Sequence, residues 1–241
     1  MIAFYTTIFL RPIFNALIWL YNLTGDVGVA ILLLTIAVRV IILPVTLKSL
    51  RSQKAMQALQ PKLNALKEKF KNDKQGLARA TMLLYTEEKV SPASSCLPLL
   101  IQLPVFIALY QALRDGLGNT GFNLLYHFVH NPTAIAPIGF HFLNLAKASI
   151  PIAVLAGLSQ FWQAKMLSAK KPELKVPGSH DESMMVAMNK QMLYVMPVMT
   201  VVIGYKLPGG VILYWLITNL LTIVQQYVFL KNPKSQGPIT N

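Results

Sequence analysis

The chain has 241 residues, of which 54% are hydrophobic and only 13% charged; a soluble domain carries about 25% charged residues, so a water-soluble globule is excluded. Its single cysteine, Cys96, excludes an intramolecular disulfide and any two-cysteine metal or redox motif. The net charge of +13 keeps anionic lipid, nucleic acid and acidic partners open until those charges are placed along the chain.

About 20 mostly apolar residues are needed to cross roughly 30 Å of hydrocarbon. Residues 1–26 open apolar, but Arg11-Pro12 interrupts the run and no basic n-region precedes it, so it does not read as a cleaved signal peptide. From Pro12 onward, Ile13, Phe14, Leu17, Ile18, Leu20 and Tyr21 recur at helical spacing, broken by Asn15, Asn22 and Thr24. This predicts an amphipathic helix lying in the membrane interface; a sixth span is the alternative. Residues 27–47 form the first predicted span. Residues 48–93 then turn basic. Within them Met56, Leu59, Leu63, Leu66 and Phe70 are spaced 3, 4, 3, 4, a heptad seam. Residues 72–76 are turn-rich, and Leu77, Ala80 and Leu84 resume helical spacing. The expectation is a helical hairpin whose first arm is kinked at Pro61.

The second span is expected at 94–113. Residues 114–148 form a loop holding three of the four histidines, His127, His130 and His141, the first two placed to share a helical face. No carboxylate lies between Asp115 and Glu173, so no metal site is expected there. The third span covers 149–167, a second loop 168–190, and a short fourth span 191–205. A turn at 206–210 leads to the fifth span, 211–230, and a short tail, 231–241. Prolines inside these runs are tolerable in membrane helices, where neighbours re-satisfy the freed carbonyls.

Ten Lys/Arg lie between Lys48 and Lys89, five between Lys165 and Lys190, and two in the tail. That makes seventeen against four on the other side: Arg11, Arg114, Lys147 and Lys206. Cytoplasmic loops carry the basic excess. Five spans with this bias put the N-terminus outside and the C-terminus in the cytoplasm, with the hairpin 48–93 a basic cytoplasmic surface suited to anionic headgroups, a client or a ribosome.

Arg39 is the only charge deep within a span, about 18 Å below Val27 at ~1.5 Å per residue. Thr35 and Thr46 share its face. Snorkelling to the inner interface is the plain alternative. The other spans carry Gln102 with Phe106 one turn on, then Ser159, Gln160 and Gln163, then Trp215, Asn219, Thr222 and Gln226 at i, i+4, i+7 and i+11, a single stripe. Any one of these would be helix–helix glue worth about 0.6 kcal/mol. Together with an Arg that no Asp or Glu in any span neutralises, they point to a hydrated, positively charged pocket open to the cytoplasm. There is no Gly-rich phosphate loop and no Ser/His/Asp or Cys/His set on one side of the membrane, so neither an enzyme nor a cofactor is expected. A small-solute channel or transporter is the rival reading, but the outer ends of the first and fifth spans are apolar. A membrane anchor for nucleic acid lacks aromatics interleaved with the basic residues, and no DNA partner is expected.

Several blocks carry a resemblance. They are Leu34-Thr35-Ile36-Ala37-Val38-Arg39 through Pro44, Met56 through Lys62, Ser91-Pro92, and Cys96-Leu97-Pro98 through Gln102-Leu103-Pro104-Val105-Phe106. Ser159 through Met166, Pro208-Gly209-Gly210 through Trp215, and Asn219 through Gln226 complete the set. In order and spacing the chain resembles the YidC/Oxa/Alb membrane-protein insertases over roughly residues 11–231. The resemblance implies an all-α polytopic protein with five transmembrane helices around a hydrophilic groove open to the cytoplasm, with a cytoplasmic hairpin needed for activity. It implies that Arg39 attracts the hydrophilic part of a client, and that Thr35, Gln102, Phe106, Gln163, Trp215 and Asn219 line the groove or meet clients. The expected partners are nascent membrane proteins, the Sec translocon, anionic lipids, and a ribosome held only weakly, since the tail after Lys231 adds one lysine, Lys234. Unlike many relatives, the chain shows no large extracytoplasmic domain ahead of the core and no lipidated signal cysteine. The absence of a transit peptide favours a bacterial plasma membrane.

Overall fold

The computed structural model describes residues 2–71, 73–167 and 191–231. The expected loop 168–190, the tail beyond Lys231 and the side chain of Cys96 lie outside the described residues. The first helical stretch is α1 (Ile2–Tyr5), a wider π turn (Thr6–Leu10) and α2 (Arg11–Thr24). Gly25, at φ +68°, ends it in the left-handed conformation, its N–H returning to the Tyr21 carbonyl. Asp26 then caps α3 (Val27–Ala58) by accepting from the N–H groups of Gly28 and Val29 at 2.7 and 3.0 Å.

The helix α3 does not stop at the foot of the expected first span. It runs through Pro44 to Ala58, so span and first hairpin arm share one helix. The break falls at Leu59, and α4 (Gln60–Lys69) begins with Pro61 in its first turn, where the missing N–H costs nothing. Asp73 caps α5 (Lys74–Glu87). Met56, Leu59 and Leu63 pack with Val90, Leu84 and Tyr85, so the heptad seam closes the hairpin. Lys62 and Glu88 pair across it.

Next come α6 (Pro92–Leu117), α7 (Ile150–Leu167), a π turn (Gln191–Val195) continuing as α8 (Met196–Gly204), and α9 (Gly209–Lys231). Among the described residues, the helices Ala3–Thr24, Val27–Ala58 and Gly209–Phe229 are long and apolar enough to cross a membrane, and Gln191–Gly204 is a shorter apolar one. The main core joins α2, α3, α6 and α9 through Phe14, Leu17, Ile18, Ile31, Leu113 and Val211. A second cluster, Ile152, Ala153, Ala156 and Ile212, fastens α7 to α9. Outward faces stay apolar: Ile41, Leu158, Val198 and Val228 are each 60–74% exposed, as lipid-facing side chains are.

The 118–149 connection is ordered by polar contacts. Asn15, which interrupts the apolar periodicity, is itself buried. Its amide donates to the Leu124 carbonyl at 3.0 Å and accepts from the Tyr126 N–H. Arg11 donates to the same carbonyl and lies 4.7 Å over the Tyr126 ring. A short antiparallel pair, β1 (Ile138–Gly139) and β2 (Leu143–Asn144), packs against α3, with the Phe140 ring over Gly28. His127 and His130 lie in turn and coil, not on a helix. The three histidines are spread over this connection, and no metal-competent group of side chains occurs among the described residues.

Candidate functional site

The helix α3 sorts its side chains sharply. Leu33, Ile36, Val40 and Ile41 face outward, while Leu34, Thr35, Arg39 and Thr46 turn into the bundle. Arg39 is 9% exposed and meets α9, where its Nη2 donates to the Thr218 carbonyl at 3.3 Å. A guanidinium has five N–H donors. Among the described residues Arg39 Nε, Thr218 Oγ1 and Gln226 Oε1 are buried with no protein partner. Gln226 lies two turns beyond Thr218 on the same helix. Thr35 is fully buried, and its hydroxyl donates back to the Ile31 carbonyl; Thr46 likewise bonds carbonyls of its own helix. Neither threonine satisfies Arg39.

The predicted residues separate into two groups. Gln102 on α6 donates to the Tyr214 hydroxyl, and Tyr214 lies one turn before Thr218, whose carbonyl accepts from Arg39. Arg39, Thr218, Tyr214 and Gln102 therefore form one polar set between α3, α6 and α9. Phe106 and Trp215 stack edge to face beside it, centroids 5.4 Å apart. Asn219 belongs elsewhere. Its Nδ2 donates to the Ala156 carbonyl and to Ser159 Oγ, both at 3.1 Å, tying α9 to α7. Gln160 on α7 accepts from Thr200 on α8. Thr222 bonds the Thr218 carbonyl on its own helix, and Gln163 is half-buried on α7.

Tyr214 and Thr218 were not singled out from the sequence. They sit at i and i+4, one position before Trp215 and Asn219. One residue is a rotation of about 100° on a helix, enough to move a side chain from the α7 side to the α3 side. A Tyr and a Thr in an apolar run read as ordinary packing; only their i, i+4 spacing marked them as a pair.

The sequence model of the family described as "60Kd inner membrane protein" matches residues 19–236. The chain belongs to this family. A protein of Fusobacterium nucleatum named membrane protein insertase YidC is 38% identical over 207 residues, covering 86% of this chain and 87% of that protein. One of the same name from Pelobacter propionicus is 35% identical over 91% of this chain but only 38% of its own length. A crystal structure described as an active YidC insertase with the first transmembrane domain resolved superposes with a TM-score of 0.60 at 25% identity. It covers 95% of this chain and 47% of the solved one. The chain thus spans most of the first relative and well under half of the second. With its apolar helices, this member of the family is a bacterial inner-membrane protein.

Proposed function

We propose that the chain is a membrane protein insertase, with nascent membrane proteins as clients. The carrying observation is a pair of buried polar atoms where α3 meets α9, Arg39 Nε and Thr218 Oγ1, which have no protein partner among the described residues, with Gln226 Oε1 a third such atom farther along α9. Buried polar atoms are bonded to protein or to ordered water, and an intramembrane Arg left unsatisfied is costly. Water along this seam meets both demands. A client's short hydrophilic segment would enter this wet, positive path and meet there part of the solvation it loses. Its apolar helix would leave sideways into lipid. No bond is made or broken.

The charge asymmetry supports five spans with the N-terminus outside and the hairpin α4–α5 in the cytoplasm, where Sec, ribosome and anionic headgroups would meet it. The first helical stretch supports an interfacial position over a sixth span. Its Tyr5 hydroxyl donates to Gln111 on α6, while Phe14 and Ile18 lie beside Gly116. Over ~20 Å of its own length it thus advances only ~8 Å along α6, at ~1.5 Å per residue. Such a helix crosses α6 obliquely near that helix's outer end.

The test is reconstitution. Liposomes containing only this chain should insert a short single-span client, protecting its translocated end from protease faster than empty liposomes of the same lipid do. Equal protection in both would refute the reading.

A further inference from the structure

A cavity of about 350 Å³ opens between α7 and α8, lined by Ile150, Ala153, Val201, Val202, Tyr205 and Lys206. Its size is that of a ligand site, roughly 300–1,000 Å³. It lies at the opposite end of α7 from Gln163 and takes no part in the Arg39 set. Its walls are apolar over more than one turn of both helices, and its only cation is Lys206. The cavity persists because two small residues hold the helices close just inside it: Gly157 against Pro197 and Val201, and Gly204 against Ala153. At its mouth the side chains of Ile150, Val202, Tyr205 and Lys206 are all exposed, so the space opens toward the surroundings of the bundle.

The charge at that mouth is unbalanced. The Gly209 N–H donates to the Lys147 carbonyl at 2.9 Å, which brings the segment bearing Lys147 to the turn that follows Lys206. Lys147 lies in a bend three residues before Ile150, where α7 begins. The nearest carboxylates in sequence on this side of the bundle, Asp26 and Asp115, are committed elsewhere: Asp26 caps α3 and Asp115 pairs with Arg114. Among the described residues neither Lys147 nor Lys206 has a carboxylate partner. The Lys206 ammonium and the Tyr205 phenol thus stand at the apolar slot, and the segment bearing Lys147 is tied by its backbone to the turn just beyond them.

We propose that this slot holds one anionic phospholipid of the surrounding leaflet. An acyl chain lies along Ala153, Val201 and Val202, and the phosphate meets Lys206, Lys147 and the Tyr205 hydroxyl. The apolar walls select a chain-bearing molecule, and the paired lysines select a net negative headgroup over a zwitterionic one. The site depends on the chain being a membrane protein but not on its acting as an insertase, and a binding measurement separates the two.

The experiment is native mass spectrometry of the purified chain given equal amounts of phosphatidylglycerol and phosphatidylcholine. The wild type should retain phosphatidylglycerol preferentially. Near a membrane surface each basic residue adds roughly a fivefold preference for anionic lipid. Lys147→Gln and Lys206→Gln should therefore each lower the bound ratio about fivefold, and the double variant should bring it close to one. Val202→Trp, at an exposed wall position, should fill the slot and reduce retention of both lipids, with an unchanged melting temperature showing that the helices still pack. Lys165→Gln, at the other end of α7, should leave the ratio alone. Glycerol phosphate, a headgroup without chains, should not compete. The proposal is overturned by wild-type selectivity in the double lysine variant. An equal loss in Lys165→Gln, or effective competition by glycerol phosphate, overturns it too.

Discussion

Replacing Asn219 by alanine tests whether it is a helix fastener or a client contact. In the structure its side-chain amide bridges α9 to α7 through two bonds of 3.1 Å, one to the Ala156 carbonyl and one to Ser159 Oγ. Interhelical hydrogen bonds in membranes average about 0.6 kcal/mol and reach about 1.7. Two bonds therefore place the loss for Asn219→Ala at roughly 1–2 kcal/mol. The Ala156 carbonyl keeps the Ser159 hydroxyl as a donor at 2.8 Å, so the variant does not leave that acceptor empty, and the lower half of the range is expected. Unfolding in bicelles by steric trapping reads this directly. A double-mutant cycle with Ser159→Ala should isolate one bond, with a coupling near 0.6 kcal/mol. Insertion by the folded fraction should be nearly unchanged. Wild-type stability together with lost insertion would place Asn219 in the client's path and refute the packing assignment.

Gly157→Ala sets a Cβ 2.5 Å from Val201 Cγ2 and 3.0 Å from the Pro197 carbonyl oxygen; overpacking of this kind costs about 1–3 kcal/mol. Val201→Ala should restore only part of it in the same unfolding assay, because the carbonyl remains. Asp26 is raised by burial but lowered more by the N–H groups of Phe140, Val29 and Gly28 and by His141, so its carboxyl titrates below the usual 3.8. A depressed carboxyl contributes stability above the unfolded value and loses it as pH falls through the folded one. Asp26→Asn should thus melt lower than wild type by a constant margin above about pH 5, with the gap closing below about pH 4. In a Cys96→Ser background, Thr218→Cys and Gln226→Cys should react with a charged maleimide much faster than the outward-facing Val224→Cys and Val228→Cys. Equal rates at all four positions would mean that the seam is dry.

Hydropathy and charge were enough to read the helical architecture, because span length and loop charge answer to the bilayer rather than to tertiary detail. The hairpin seam was legible in part: of Met56, Leu59, Leu63, Leu66 and Phe70, the first three pack with Val90 and Leu84 in one cluster. What escaped depends on rotation and on loop geometry. Asn15 reads as a break in an apolar face, yet its amide organises the connection after α6. The four-residue stripe on α9 divides because that helix has α7 on one side and α3 on another, and a periodicity of 3.6 cannot say which neighbour each side chain meets. Trp215 and Asn219 go toward α7 and α6, while Tyr214 and Thr218 go toward Arg39. His127 and His130 keep a helical spacing without a helix, in a segment that Gly121, Pro132 and Pro137 hold in turns.

The central claim is that the buried positive charge of Arg39 draws a client's hydrophilic segment into the membrane. Its most direct test is the initial insertion rate, in liposomes holding only this chain, for paired clients whose translocated segments are acidic or neutral. Wild type and Arg39→Lys should favour the acidic client. Arg39→Ala should lose that preference, with a fall of tenfold or more for the acidic client if the charge contributes about 1.4 kcal/mol or above. A wild-type rate for the acidic client in a folded Arg39→Ala protein would contradict the account.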